Sequence, residues 1–122
     1  MSTRRPFAKA QRLGSPAEFQ AVFNLNRPLT SRSPFFTVLG APSQGEYARL
    51  GMIVAKRNIK RAVQRNRIRR LIRESFRNHQ AVLAGLDIVV IVKAEGSKRE
   101  NAQLFLCLEK HWKELVAQWK NA

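Results

Sequence analysis

The sequence predicts an α/β domain in which helices pack on a small mixed β-sheet. The first observation is the order of elements: a strand pattern at residues 47–55, an amphipathic helix, and a second strand pattern at residues 87–93. This order is typical of a parallel strand–helix–strand unit. The second observation is a long amphipathic helix after residue 97, which can cover the sheet. At 122 residues, the chain has the size of a single domain, 1–122.

The N-terminal segment is predicted to contain a basic arm and a short helix. Residues 1–11 are basic but lack the apolar core of a signal peptide, so we interpret them as a flexible arm that adds affinity for nucleic acid. Residues 15–18, Ser-Pro-Ala-Glu, form a capping box with proline at the first helical position. The helix is expected to extend to about residue 24, with Phe19 and Phe23 on one face.

An antiparallel hairpin is predicted next. Pro28 and Pro34 break regular structure, and residues 35–40 then show a strand pattern. Residues 41–45, Ala-Pro-Ser-Gln-Gly, have the composition of a turn, and residues 47–55 form the second strand. Two strands joined by such a short turn are expected to pair with each other.

The C-terminal part is predicted to supply a buried strand and the last helix. Residues 87–93 are continuously apolar between their charged ends, which is typical of a strand buried on both faces. Residues 97–100, Ser-Lys-Arg-Glu, are interpreted as a second capping box at the start of the helix. The apolar residues of this helix recur every three or four positions: Leu104, Phe105, Leu108, Trp112, Leu115, Val116 and Trp119.

The most informative segment is residues 56–77, which holds 10 of the 23 cations of the chain and a single acid, Glu74. At about 100° per residue, a helix through this segment separates an apolar face from a basic one. The apolar face comprises Ile68, Leu71, Ile72, Ser75 and Phe76. The basic face comprises Asn66, Arg69, Arg70, Arg73 and Arg77.

The basic face indicates a polyanionic partner. All seven cations in residues 61–77 are arginines, whose planar guanidinium groups bind phosphate bidentately. A solvated helix face normally mixes charges, but Arg65/Arg69, Arg69/Arg73 and Arg73/Arg77 are like-charged pairs at i, i+4. Each such pair costs a helix roughly 0.2–0.5 kcal/mol. Together with the net charge of +15, this pattern favours nucleic acid binding.

The sequence offers little chemistry for catalysis by the polypeptide. His79 and His111 have no second histidine or cysteine at ligand spacing, so we interpret both as surface histidines with satisfied hydrogen bonds. The acidic residues form no close pair that could hold two magnesium ions. No phosphate-binding glycine loop or zinc motif is present. We therefore expect no catalytic residues, no metal site and no cofactor in the protein.

Cys107 is the only cysteine, which excludes an intramolecular disulfide framework and favours a reducing, cytoplasmic location. Its apolar neighbours predict a buried structural thiol. No apolar run reaches the roughly 18–20 residues of a membrane span, so no membrane partner is expected.

Residues 50–77 resemble the protein subunit of bacterial ribonuclease P. The similarity centres on Arg65-Asn66-Arg67, with Ala-Val before it and Ile-Arg-Arg-Leu-Ile-Arg-Glu-Ser-Phe-Arg after it. It extends back to Leu-Gly-Met-Ile-Val-Ala-Lys-Arg at residues 50–57 and forward to the strand at 87–93. The N-terminal pattern also fits, so the resemblance covers about residues 12–93. Many family members have a glycine before Ala-Val, which residues 58–61 lack here.

The resemblance implies an α+β sandwich similar to the second domain of a small-subunit ribosomal protein, with a left-handed crossover around the arginine-rich helix. It also implies a ribonucleoprotein whose RNA subunit uses Mg²⁺ to hydrolyse precursor tRNA and release the 5′ leader. The expected partners are ribonuclease P RNA and precursor tRNA, and no DNA is expected.

The resemblance also assigns two sets of site residues. Residues expected to face the catalytic RNA are Arg61, Arg65, Asn66, Arg67, Arg69, Arg70 and Arg73. Residues expected to border the cleft for the single-stranded leader are Phe19, Phe23, Phe36, Lys56, Arg57, Lys60 and Lys93. For each aromatic ring, core packing is the alternative to stacking on a base.

Two other function classes are compatible with the charge pattern. A ribosomal or general structural RNA-binding protein would share the charge and the fold, but it would need no leader cleft. A DNA-binding module would place the arginine-rich helix in a major groove. That helix offers few groups for reading bases apart from Asn66.

Overall fold

The computed structural model describes residues 28–43 and 47–121. The predicted N-terminal arm and the predicted helix at 15–24 lie outside these residues. The elements, in chain order, are β1 (Leu29–Arg32), β2 (Phe36–Pro42), β3 (Arg49–Ile53), α1 (Ala62–Asn78), α2 (Gln80–Leu83), β4 (Leu86–Val92), a 3₁₀ helix (Ala94–Lys98) and α3 (Asn101–Lys120).

The four strands form one mixed sheet in the order β1-β2-β4-β3. β2 pairs antiparallel with both β1 and β4, whereas β3 runs parallel to β4, with Leu50 opposite Ile88. The parallel pair is connected through α1, which confirms the predicted strand–helix–strand unit. The left-handed sense of this crossover stays a prediction from the resemblance.

The predicted hairpin between residues 35–40 and 47–55 is wrong. The two segments do form strands, but β4 lies between them and takes the antiparallel partner position beside β2. β4 is the most apolar strand, and five of its residues are fully buried: Leu86, Ile88, Val89, Val90 and Val92. A strand that is apolar on both faces gains most in the centre of a sheet. β1 was not predicted, because its short sequence lies between two prolines.

Alternation along the strands produces two apolar faces. The main core lies between the sheet and the helices α1 and α3, and its strand residues include Phe36, Val38, Ile88, Val90 and Val92. The opposite face carries Leu39, Ala41, Ile53, Val89 and Ile91. The predicted burial of residues 88–92 on both faces is therefore confirmed.

α1 packs through the predicted apolar face, since Ile68, Leu71, Ile72, Ser75 and Phe76 are its buried residues. α3 supplies the opposing side chains, above all the fully buried Trp112. The indole Nε1 of Trp112 donates a hydrogen bond to Ser75 Oγ at 2.9 Å, and its ring meets Phe76 edge to face. A buried polar pair and an aromatic pair thus fix the orientation of the arginine-rich helix.

α3 begins three to four residues later than predicted. Glu100 is its N-cap residue, without a side-chain capping bond, and Ser97 lies in the 3₁₀ helix, where its hydroxyl donates to the carbonyl of Ala94. The capping-box interpretation of residues 97–100 is therefore wrong. In a tight turn before a helix, a nearby backbone carbonyl can compete with the helix N-terminus for the serine side chain.

Gly85 occupies a backbone conformation that only glycine adopts easily. Its φ is 90°, and a Cβ atom would lie 2.9 Å from the Trp119 ring. We expect Gly85→Ala to lower the free energy of unfolding by about 1–3 kcal/mol, from the left-handed φ and the clash together. Gly40→Ala is the matched control, because its nearest contact would be an ordinary 3.5 Å. Equal denaturation midpoints for the two variants would contradict this account.

Candidate RNA interface

The basic residues of α1 lie on two flanks of the helix. Arg65, Arg69 and Arg73 follow one another at four-residue spacing and therefore share one side. Asn66, Arg67 and Arg70 line a groove on the other side, between α1 and α3. The predicted RNA-facing set therefore covers two neighbouring flanks of α1, and Asn66, Arg67 and Arg70 are the members that line the groove.

Arg67 is committed to contacts within the protein. Its guanidinium donates to Gln64 Oε1, to Asn101 Oδ1 and to the backbone carbonyls of Ser97 and Arg99. These contacts connect α1 to the segment that precedes α3. Arg67 therefore holds two elements together, whatever else its outer edge binds.

Arg65 has a similar structural role at the start of α1. Its Nη1 donates to the carbonyls of Ile59 and Lys60 at 2.9 and 2.7 Å. Ile59 is also buried in the core, so the part of the loop next to α1 is held by packing as well as by Arg65.

The more accessible cations of α1 are Arg61, at its N-cap position, and Arg70, both of which are exposed. Arg69 is half-buried and donates to Asn66 Oδ1 at 3.3 Å. Arg77 forms an ion pair with Glu74 at 2.9 Å, so the like charge at this end of α1 is partly neutralised. The first turn of α1 contains no acidic residue, which leaves its positive dipole end to attract anions.

A second basic cluster lies at one end of the sheet. The amide of Asn58 donates to the carbonyl of Val92 at 3.4 Å, which brings the loop before α1 next to the end of β4. Lys56, Arg57 and Lys60 are exposed on this loop, close to Lys93, which follows β4. We call Lys56, Arg57, Lys60 and Lys93 the basic end of the sheet.

Lys93 is partly engaged, since its Nζ donates to the carbonyl of Ser33 at 2.7 Å. β3 and β4 are parallel and end side by side, so the backbone of Lys93 lies next to the loop that carries the other three predicted cleft cations, whereas its ammonium group binds at the turn between β1 and β2. This proximity depends on the strand order rather than on the sequence spacing.

Phe36 cannot stack on a base and is corrected to a core residue. Its side chain is 0% exposed, and its ring meets His111 edge to face below the helices. Its neighbour Phe35 is half-buried, with the Arg99 guanidinium 5.4 Å from the ring centre. The two rings differ because Phe36 is the first residue of β2 and lies inside the main core, whereas Phe35 lies in the bend before the strand and packs at the edge of the same core. Phe19 and Phe23 lie outside the described residues.

His111 is buried, so the prediction of a surface histidine is wrong at this position. Its two ring nitrogens are 2.7 Å from Ser31 Oγ and 2.9 Å from Ser33 Oγ. Burial, with a smaller effect of the Lys93 charge, lowers the pKa of His111 to about 4. The ring is therefore neutral at pH 7 and joins α3 to β1. Cys107 is half-buried rather than buried, and its thiol donates to Ser33 Oγ.

Within residues 28–43 and 47–121, no three His, Cys, Asp or Glu side chains come together in a way that could hold a metal ion. None of the helices in this part of the chain is long and apolar enough to cross a membrane. The groups that do converge are guanidinium, ammonium and amide groups. They can bind phosphate and base edges.

Comparison with known proteins gives consistent matches. The model of the Ribonuclease P family matches residues 7–116. A ribonuclease P protein component from Nitrosococcus oceani is 43% identical over 112 residues, which cover 92% of this chain and 92% of that protein.

Solved structures agree with the sequence comparison. The RNase P protein of Staphylococcus aureus superimposes with a TM-score of 0.75 at 30% identity, over 84% of this chain and 92% of that one. The RNase P protein of Thermotoga maritima gives 0.72 at 28% identity, over 84% and 94%. The α+β fold with a mixed four-stranded sheet is the fold of these proteins. The chain therefore belongs to the ribonuclease P protein family, the protein component of the bacterial endoribonuclease complex that processes tRNA.

Proposed function

We propose that this protein binds the catalytic RNA of ribonuclease P and the 5′ leader of precursor tRNA, and so assists removal of the leader. The observation that carries the proposal is the pair of adjacent basic surfaces. One is α1 with its exposed arginines, and the other is the basic end of the sheet. Two separate RNA segments, one from each RNA, can be held side by side by such an arrangement.

For the catalytic RNA, we propose a surface centred on Arg61, Arg69, Arg70 and Arg73. The N-terminal backbone N–H groups of α1 lack a side-chain cap, so they can also contribute to a phosphate contact. Arg65 and Arg67 contribute mainly by fixing the loops on either side, and Asn66 lies between them on the groove. This surface offers many phosphate contacts, which supply most of the affinity of RNA-binding proteins.

For the leader, we propose that the cations Lys56, Arg57, Lys60 and Lys93 track the phosphates of a single strand. Rings that stack on the bases would then come from Phe19 and Phe23, as the resemblance implies. Single-stranded RNA is commonly bound by this combination of a basic groove and aromatic rings. Mature tRNA lacks the leader, so this surface would favour the precursor.

The hydrolysis itself is assigned to the RNA subunit and its Mg²⁺ ions. The described residues bring together phosphate-binding groups, and the carboxylates among them serve other contacts: Asp87 binds Arg49, and Glu74 binds Arg77. The role of the protein is then to neutralise RNA charge and to position the precursor. We expect it to act in the bacterial cytoplasm, where precursor tRNA is made.

The test is cleavage of precursor tRNA by bacterial ribonuclease P RNA at low Mg²⁺, with and without this protein. We expect strong stimulation by the protein, because its cations replace part of the charge screening that Mg²⁺ supplies, and no cleavage by the protein alone. Mature tRNA should compete weakly. Cleavage by purified protein after ribonuclease pretreatment, or no stimulation at any Mg²⁺ concentration, would contradict the proposal.

A further inference from the structure

The groove between α1 and α3 combines features that phosphate binding alone does not require. It is an open cavity of about 540 Å³. Its lining includes the apolar side chains of Val63, Leu71 and Phe105, together with Asn66 from α1 and Asn101 from α3. Cavities of about 300–1,000 Å³ with an apolar floor and a few polar groups are typical sites for small organic ligands or their equivalents.

The charges around the groove select the chemistry of the occupant. Arg70 is exposed at the rim, and Arg67 is held in the wall by the carbonyls of Ser97 and Arg99. Glu74 also lines the groove. Its carboxylate is already paired with Arg77, so this part of the lining offers no positive charge to hold a phosphate inside the cavity. A nucleotide fits this arrangement when its uncharged base lies inside the groove, near Glu74, and its negative phosphate lies at the rim, near Arg70.

We infer that the groove binds one unstacked nucleotide of the RNA partner, with the base on Phe105 and its edge on the asparagine amides. The amide oxygens of Asn66 and Asn101 accept hydrogen bonds from Arg69 and Arg67, and the amide NH₂ groups can donate to acceptors on the edge of an unpaired base. Val63 supports the same assignment: it lies in the first turn of α1, two residues after the N-cap residue Arg61, and is 72% exposed. An apolar side chain beside arginines suits a base and ribose better than a row of phosphates.

The inference rests on the proposed function and makes that surface more specific. The other contacts proposed for α1 are with the phosphate backbone of the RNA, so they would be insensitive to the RNA sequence. The groove would instead bind a particular unpaired position of the RNA. It would therefore fix the register of the protein on its partner, and its loss would not change the number of phosphates neutralised.

The first experiment measures the affinity of the full-length protein for a bacterial ribonuclease P RNA as a function of salt. We expect Phe105→Leu, which keeps the apolar packing, to weaken binding about 5- to 150-fold, the range of a single lost stack. The slope of log affinity against log salt should stay the same, because no phosphate contact is removed. Phe105→Tyr keeps the ring and should retain the affinity. Melting temperatures of both variants monitor the fold.

The second experiment places a photoreactive benzoylphenylalanine at position 105 or, as the control, at position 106. Leu106 is the next residue of α3 and is 61% exposed. We expect irradiation of the complex to crosslink position 105 to one discrete unpaired nucleotide, and position 106 to give no discrete product. Equal RNA affinity of wild type and Phe105→Leu, or equal diffuse crosslinking at both positions, would overturn the inference. Failure of the wild-type protein to bind the RNA would instead overturn the proposed function.

Discussion

Replacing Trp112 by Ala is expected to lower the free energy of unfolding by about 3–5 kcal/mol, the cost of removing a large buried side chain. Trp112 is fully buried between α1 and α3, and it is the largest of the fully buried side chains among the described residues. Its loss removes the contact with Phe76 and leaves Ser75 Oγ without its donor. Urea or thermal denaturation of the purified variant measures the effect.

The same substitution should also weaken RNA binding, because Trp112 sets the orientation of α1. Trp112→Phe keeps a ring but lacks the indole N–H, so it separates packing from hydrogen bonding. Ser75→Ala leaves the buried N–H unpaired and should cost about 1–3 kcal/mol. In a double-mutant cycle, Ser75→Ala should cost much less in the Trp112→Phe background. Equal costs in both backgrounds would show that the bond does not stabilise the fold.

The spacing of apolar residues was sufficient to predict which side chains of α1, α3 and β4 are buried. The buried residues of α1 are the five that a period of 3.6 selects, and α3 buries Leu104, Leu108, Trp112 and Leu115 as predicted. The continuous apolar run at residues 87–93 correctly indicated a strand buried on both faces. These predictions hold because the side chains that face a core recur every 3.6 residues in a helix, whereas a strand with both faces covered is apolar at every position.

The sheet order could not be predicted in the same way. A short turn at residues 41–45 favours a hairpin, but turn composition reports only the local reversal of the chain. Whether a later strand enters between the two depends on the burial gained by that strand, here β4. β1 could not be predicted for a related reason, because its position depends on contacts with other elements. It pairs with β2, and Gln118 of α3 forms hydrogen bonds with the backbone of Thr30.

The sequence predicted the site as one set of cations. In the structure, these cations differ, because some of them already bind groups within the protein. Helical spacing selects Arg65 and Arg67 as surface residues, but it does not show that backbone carbonyls of distant loops occupy their guanidinium groups. The burial of Phe36 and His111 likewise depends on which side of the sheet receives α3. No pattern in the sequence distinguishes Phe35 from Phe36 in this respect.

Replacing both Arg69 and Arg70 by Ala should have opposite effects on folding and on binding. Arg69 takes part in two like-charged pairs at i, i+4, each costing roughly 0.2–0.5 kcal/mol, and Ala is the better helix former. The free variant should therefore be as stable as the wild type or slightly more stable. Neither side chain donates to a backbone carbonyl in any bond seen among the described residues, in contrast to Arg65 and Arg67.

Affinity of the same variant for ribonuclease P RNA should fall, and the slope of log affinity against log salt should become shallower. Each lost phosphate contact removes roughly 0.7–0.9 from this slope, so two lost contacts remove about 1.4–1.8. The double variant of Lys113 and Lys120 to Ala is the matched control, because it removes the same charge from exposed positions of α3. A smaller change in the control locates the interface on α1, since a general effect of net charge would lower both slopes equally. Equal slopes for the two variants would show that α1 is not the surface that meets the catalytic RNA, whereas a separate loss of helix content would show that the arginines act through the fold.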